Sequence, residues 1–346
     1  MVHPYTSGSA PAVGRAVKII AALLLLGCSL AVGGFFWLAV YANSPGPGGR
    51  GEAVVLIPRG ASFAKIASIL AEEGVIEEDI RFHLLARLRG MADSIRAGEF
   101  VLDRGREPLV VLEQLAGARL LQHPVTVAEG LQVEEIAARF AAGGWCRQQE
   151  FLSLAGDALF IEKLGLAGLD SLEGYLYPDT YYLTRIPEFD AAKIITMMVA
   201  RFFEVWQSLE TEGADRHRTV ILASIVERET ADPGERPRIA SVFLNRLERG
   251  MRLQSDPTVI YGIEGFSGTI TRKDLRRSTP YNTYVIHGLP AGPICSPGRK
   301  ALAAVLQPAA EHYLYFVSKN DGTHYFSKTL REHNRAVNTY QRRKEK

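Results

Sequence analysis

A glutamate near the end of an apolar, small-faced helix is the residue best placed to do chemistry: Val220-Ile221-Leu222-Ala223-Ser224-Ile225-Val226-Glu227-Arg228-Glu229-Thr230. At helical spacing Val220, Ala223, Ser224 and Glu227 share one stripe, and Leu222, Ile225, Val226 and Glu229 lie roughly opposite, so the two glutamates point apart. Ala223 and Ser224 leave room for a bulky ligand beside Glu227, and apolar neighbours such as Val220 disfavour its ionised form. A carboxylic acid kept protonated near neutral pH is what glycosidic-bond cleavage uses. The plain alternative is an ion-paired glutamate, with Arg228 or Arg246 as partner, and Glu229 fits a solvated or structural acid.

Three further stretches mix aromatics, amides and carboxylates, as sugar binding requires: residues 172–181, residues 245–247 with 253–262, and residues 281–284 running into 288–294. The candidate substrate contacts are Glu173, Tyr175, Gln254, Asp256, Tyr281 and Asn282. Gln254 and Asn282 suit N-acetyl groups, and the tyrosines suit sugar rings. Each has a packing alternative. Glu173 lies in a Glu-Gly turn, Asp256 precedes Pro257 at a helix entry, and tyrosines more often bury area than form platforms. Asn245 reads equally as a buried hydrogen bonder, and His287 and His333 read as structural.

These residues need a scaffold, and 346 residues, 47% of them hydrophobic, suffice for two or three domains. A net charge of +2 with mixed signs gives no basic stripe, so nucleic acid is not an expected partner. Residues 19–49 carry no charge and 19–41 are almost wholly apolar, long enough at about 1.5 Å per residue to cross a hydrocarbon core of about 30 Å. A transmembrane helix over 19–42 follows. The leader, residues 1–18, holds Arg15 and Lys18 and no acid, which puts the N-terminus in the cytoplasm and exports the rest. A cleaved signal peptide would have a shorter apolar run. Leu25-Leu26-Gly27-Cys28 looks like a lipobox, yet apolar residues continue through Trp37. Cys28 lies in this segment, leaving Cys146 and Cys295 either free or joined in one bond. No His/Cys group has metal-ligand spacing, so neither a metal nor an organic cofactor is expected.

Residues 43–51 (NSPGPGGRG) have the composition of a stalk. A small domain spans 52–123: a strand at 53–57, a turn, a helix with Phe63, Ile66, Ala67 and Leu70 on one face, a helix near 79–89 and a strand near 99–102. That order, opening with PRGASFAKIASIL, resembles the LysM-like modules that bind peptidoglycan glycan; an α+β spacer is the other reading. A second α+β domain spans 124–346, with a strand at 125–127, a helix using Val133, Ile136, Ala137 and Phe140, and helices at 191–211, 218–230 and 235–249. A hairpin joins 313–318 to 323–327 across Asn320-Asp321-Gly322.

The four chemical stretches, with Tyr313-Leu314-Tyr315-Phe316-Val317, Asp321-Gly322, His324-Tyr325-Phe326 and Glu332-His333-Asn334, resemble the YceG-like endolytic murein transglycosylases over roughly residues 125–340. The resemblance implies an α+β catalytic domain behind one inner-membrane helix and a LysM-like segment. It implies cleavage of the β-1,4 bond between N-acetylmuramic acid and N-acetylglucosamine in peptidoglycan, without added water. It sets the catalytic glutamate at Glu227, which would protonate the leaving oxygen and then accept the proton of the muramic-acid C6 hydroxyl as that oxygen attacks C1. It also implies penicillin-binding proteins and other strand synthases as partners. Two rival readings stand beside it: a muramidase using Glu227 with Glu173 or Asp256 as second carboxylate, and a non-catalytic glycan-binding scaffold.

Overall fold

The computed structural model describes residues 10–117, 119–185, 190–261, 263, 265, 266 and 268–341, with side chains from Val17 onward. The chain divides into two units: one ends at Gln122, the other runs from His123, and a short segment beginning at Thr184 groups with the first.

The first unit opens with α1 (Ala10–Ala42). Its stretch Val17–Ala42 is apolar and long enough to cross a membrane, and Leu23, Leu25, Phe35 and Phe36 stand exposed. Bare apolar surface on that scale fits a single-pass anchor. The last residues of α1, Tyr41 and Ala42, enter the core of this unit among Val55, Phe82, Phe100 and Leu112. There β1 (Glu52–Ile57) pairs antiparallel with β2 (Gly98–Asp103), Val55 opposite Phe100, and alternate residues of β1 face inward. Between the strands lie α2 (Phe63–Glu72) and α3 (Ile80–Leu88), capped by Ser62 and Asp79; α4 (Pro108–Ala116) follows. The strand–helix–helix–strand order is the one expected. The segment 43–51 is not the free stalk its composition implied. A Cβ on Gly46 would overlap the Arg104 carbonyl, and one on Gly48 the Gly74 carbonyl, so these glycines let the backbone press against the unit.

The second unit pairs β3 (His123–Thr126) with β4 (Thr180–Leu183). Between them run α5 (Val133–Ala142), α6 (Gln148–Ala155) and α7 (Ala158–Lys163). Then come α8 (Ala191–Gln207), α9 (Arg216–Glu229), α10 (Arg236–Glu248), α11 (Asp256–Tyr261) and α12 (Arg299–Leu306). A hairpin of β5 (Tyr315–Ser318) and β6 (His324–Ser327) precedes α13 (Leu330–Tyr340). Asn320 and Gly322 take left-handed φ of 63° and 87°, as the Asn-Asp-Gly turn demands.

Helix α9 is the axis of this unit. Every residue from Thr219 to Val226 is buried. Val220 and Ala223 face a core with α5, α6 and α8; Leu222, Ile225 and Val226 face another with α10. A helix apolar all round is a central helix, and Glu227 is the first acid where α9 leaves the core. The small face of α9 does not admit a ligand, contrary to expectation. Ala223 and Ser224 are fully buried; the Ser224 hydroxyl accepts the Ile294 N–H at 3.0 Å and donates to the Ile221 carbonyl at 2.7 Å. Small side chains there let residues 294 and 295 pack against the helix.

Candidate active site

The Glu227 side chain is 5% exposed. Its Oε1 accepts from Nη2 of Arg236 at 2.5 Å, and its Oε2 accepts the Gly298 N–H at 2.9 Å. The expected partners are engaged elsewhere: Arg228 donates to the Gly130 carbonyl, and Arg246 to the Leu314 and Leu253 carbonyls. Burial pushes the Glu227 carboxyl above the usual range. The Gly298 N–H and Arg236 pull it down, while Glu129 pushes it up through its charge and a carboxyl–carboxyl hydrogen bond. The negative end of α9 acts in the same upward direction.

Arg236 begins α10, its side chain 6% exposed, with Nη1 3.6 Å from a Glu129 oxygen. Its Nε and Nη1 are buried without a hydrogen-bond partner among the described residues. Glu129 comes from the loop after β3. That loop is stitched in place where Gly130 N–H donates to the Ser296 carbonyl and Ser296 N–H to the Leu131 carbonyl. Stitching brings Glu129 onto Gly298, where a Cβ would overlap its carboxyl. Sequence reasoning passed over Glu129, Arg236 and Gly298, because Ala-Glu-Gly looks like a plain turn and no spacing joins three loops before folding.

A cleft of about 830 Å3 opens over these groups, and Glu229 and Asp256 also line it. The two glutamates of α9 diverge in partners but wall the same cleft. Of the two readings of Glu229, solvated or structural, the structure has the second: it accepts the Ser255 hydroxyl at 2.5 Å, and burial pushes its carboxyl up to about 7. Asp256 accepts the Tyr284 hydroxyl at 2.6 Å. Gln254 lines an adjacent cleft of about 440 Å3 that shares Glu229 and Asp256, and its φ of 51° is unusual for a non-glycine.

The other candidates lie apart from Glu227. Tyr281 lines a third cleft, of about 730 Å3, its ring 4.6 Å from that of Tyr261. The Tyr261 hydroxyl donates to Glu173 at 3.2 Å, and Glu173 also accepts the Val133 and Gly174 N–H groups. Burial pushes Glu173 up to about 8. Tyr175 is a core residue, 1% exposed, edge-on to Phe202 with its hydroxyl 2.9 Å from His217. Asn282, also 1% exposed, gives its amide N–H groups to the Asp274, Leu275 and Arg277 carbonyls, which leaves none for an N-acetyl group. Asn245 likewise donates to the Glu311 and Tyr313 carbonyls. Cys146 and Cys295 are free thiols. Among the described residues no group of His, Cys, Asp and Glu is arranged to hold a metal.

A protonatable carboxyl, a paired arginine and an open cleft fit glycosidic-bond chemistry, and a model of the YceG-like family matches residues 55–339. The chain belongs to the YceG-like family. It is similar to a relative from Bacillus subtilis (strain 168) named endolytic murein transglycosylase, with 34% identity over 82% of this chain and 83% of that protein. A relative of the same name from Streptococcus pneumoniae is 26% identical over 89% of this chain and 62% of its own length. The YceG-like likeness extends to structure. A crystal structure of a YceG-like protein from Listeria monocytogenes shares 32% identity over 82% of this chain and 98% of that one, with a TM-score of 0.57.

Proposed function

We propose that this protein is an endolytic peptidoglycan lytic transglycosylase with Glu227 as its general acid and base. The observation that carries the reading is the Glu227 carboxyl itself, raised above its ordinary range and oriented by Arg236 and Gly298 beneath an open cleft. Protonated, Glu227 gives its proton to the glycosidic oxygen as the muramic-acid C1–O bond breaks. As a carboxylate, it takes the proton of that sugar's C6 hydroxyl while O6 bonds to C1. No water is consumed, and the strand ends in a 1,6-anhydro ring.

The charge balance supports the sequence of roles. Arg236 stabilises the carboxylate that forms after proton donation, and burial with Glu129 stabilises the acid that precedes it. Glu129 shares the guanidinium with Glu227, which suits it to tuning that carboxyl and not to holding a water across the gap of about 6.5–9.5 Å that an inverting pair of carboxyls needs.

Arg15 and Lys18 support a cytoplasmic N-terminus, which would place both units on the outer face of the inner membrane. There the first unit would hold glycan as a LysM-like module, and the penicillin-binding proteins that extrude strands would be neighbours. Crosslinking in membranes tests that association.

The chemical reading is tested by mass spectrometry of chain ends after detergent-solubilised protein meets uncrosslinked strands. Anhydro ends, one water lighter than reducing ends and lost with Glu227→Gln, support it. Reducing ends would mean hydrolysis instead.

A further inference from the structure

Helix α3 carries apolar side chains on two faces, and only one of them is covered. Phe82, Leu85 and Ala86 are buried in the core of the first unit. Ile80, Leu84 and Leu88, spaced four apart and so aligned along one stripe, stand 66%, 41% and 74% exposed. A helix apolar on both sides fits apolar surroundings on both sides, and a bare stripe of this kind marks a contact surface.

The place of α3 in the unit says what covers the stripe. Its first turn is fastened to the last turns of α1, where the Arg81 guanidinium lies 5.5 Å from the Trp37 ring and 4.4 Å from that of Tyr41. Arg81 follows Ile80 directly, so the stripe starts beside α1. Trp37 and Tyr41 lie at the end of the apolar span Val17–Ala42, and these two residue types settle where a helix leaves a bilayer. Trp37 and Val40 are themselves about half exposed, so both helices are bare where they meet. Charge agrees with this placement. The nine residues of α3 hold no acid, and Arg87 and Arg89 stand exposed at its end. Of the three acids just before it, Glu77 and Asp79 pair with Arg81, which leaves Glu78 against two arginines. An apolar stripe with basic residues beside it is the composition of helices that lie in a membrane surface, their apolar side about 5–10 Å deep.

We propose that α3 lies in the surface of the bilayer that α1 spans, with Ile80, Leu84 and Leu88 among the lipid acyl chains, so that the first unit holds the membrane at two places. This rests on α1 being a membrane anchor, as proposed above. The occupant of the stripe is lipid and not glycan, because three aliphatic side chains give a sugar neither a ring to stack on nor a hydrogen bond.

The test places the full chain in nanodiscs of phosphatidylethanolamine and phosphatidylglycerol whose acyl chains carry bromine, a contact quencher of fluorescence. A fluorophore is attached at Leu84→Cys or Leu88→Cys, at Leu24→Cys within α1, and at Val54→Cys, an exposed site on β1 whose side chain points away from the core that α3 covers. Cys28→Ser and Cys146→Ser remove competing thiols, and Cys295 is buried. Quenching at 84 and 88 is expected to exceed that at 54 by at least about threefold, as an apolar face set below the headgroups requires. Quenching at 24 with no excess over 54 at 84 and 88 would overturn the proposal and leave the anchor standing. No quenching at 24 would remove the anchor, and the proposal with it. Disulfide-linked dimers of the Leu88→Cys chain, formed in place of quenching, would give the stripe to a second copy and overturn the proposal as well.

Discussion

The carboxyl of Glu129 occupies the space that the absent side chain of Gly298 leaves open. Gly298 in turn gives its N–H to Glu227, so one glycine sets the position of two carboxyls. Its φ of −81° and ψ of 172° are ordinary for any residue, which makes the requirement steric and not conformational.

Gly298→Ala should therefore fold normally, displace Glu129 and lower turnover. In a Glu129→Ala background the same substitution should cost almost nothing further. A double-mutant cycle on kcat/KM reads this coupling, and additive losses would show that the two residues act separately.

Glu129→Gln removes a charge that raises the Glu227 carboxyl. With its folded pKa lowered, Glu227 loses its proton at a lower pH, and the alkaline limb of the kcat/KM profile should move to lower pH. An unmoved limb would mean that Glu129 does not tune the acid.

Glu173 makes stability itself pH-dependent. Buried and raised to about 8, it stays protonated in the folded chain where the unfolded chain has released the proton. Stability is then fullest below the ordinary glutamate range and falls by a few kcal/mol as pH rises toward 8. Glu173→Gln, neutral throughout, should flatten that slope in denaturant melts between pH 4.5 and 8.

Ser224→Ala leaves the buried Ile294 N–H without its acceptor and should cost about 1–3 kcal/mol in chemical denaturation. Threonine at 224 keeps the acceptor but adds a methyl in a fully buried position, so it should recover part of the loss at most.

Long periodic segments were legible before folding. Helices α8, α9 and α10 lie within a few residues of their expected spans, and the Asn-Asp-Gly hairpin stands where its turn residues put it. Short elements were not. Helices α7 and α11, six residues each, lack a full apolar period, and β4 takes its strand character from pairing with β3 more than fifty residues earlier. At the candidate site, Glu227 stands out in the sequence because its helix announces burial around it, while the role given to it came mostly from the family resemblance. Glu129 and Arg236 do not stand out, since each becomes a partner only when two loops converge. Tyr175 and Asn282 were drawn into the candidate site by residue type alone; burial turned one into core and the other into a loop brace.

The join between α1 and the first unit has a mechanical consequence. A flexible nine-residue tether would let that unit roam roughly 15–18 Å from its attachment. Here Tyr41 and Ala42 end inside the unit's core, Arg81 lies 4.4 Å over the Tyr41 ring, and Gly46 and Gly48 are clamped, so helix and unit turn together. A helix so mounted is a mast and not a leash: with α1 in a bilayer as proposed, the first unit's height would be set by the helix, and its reach would come from rotation and lateral diffusion.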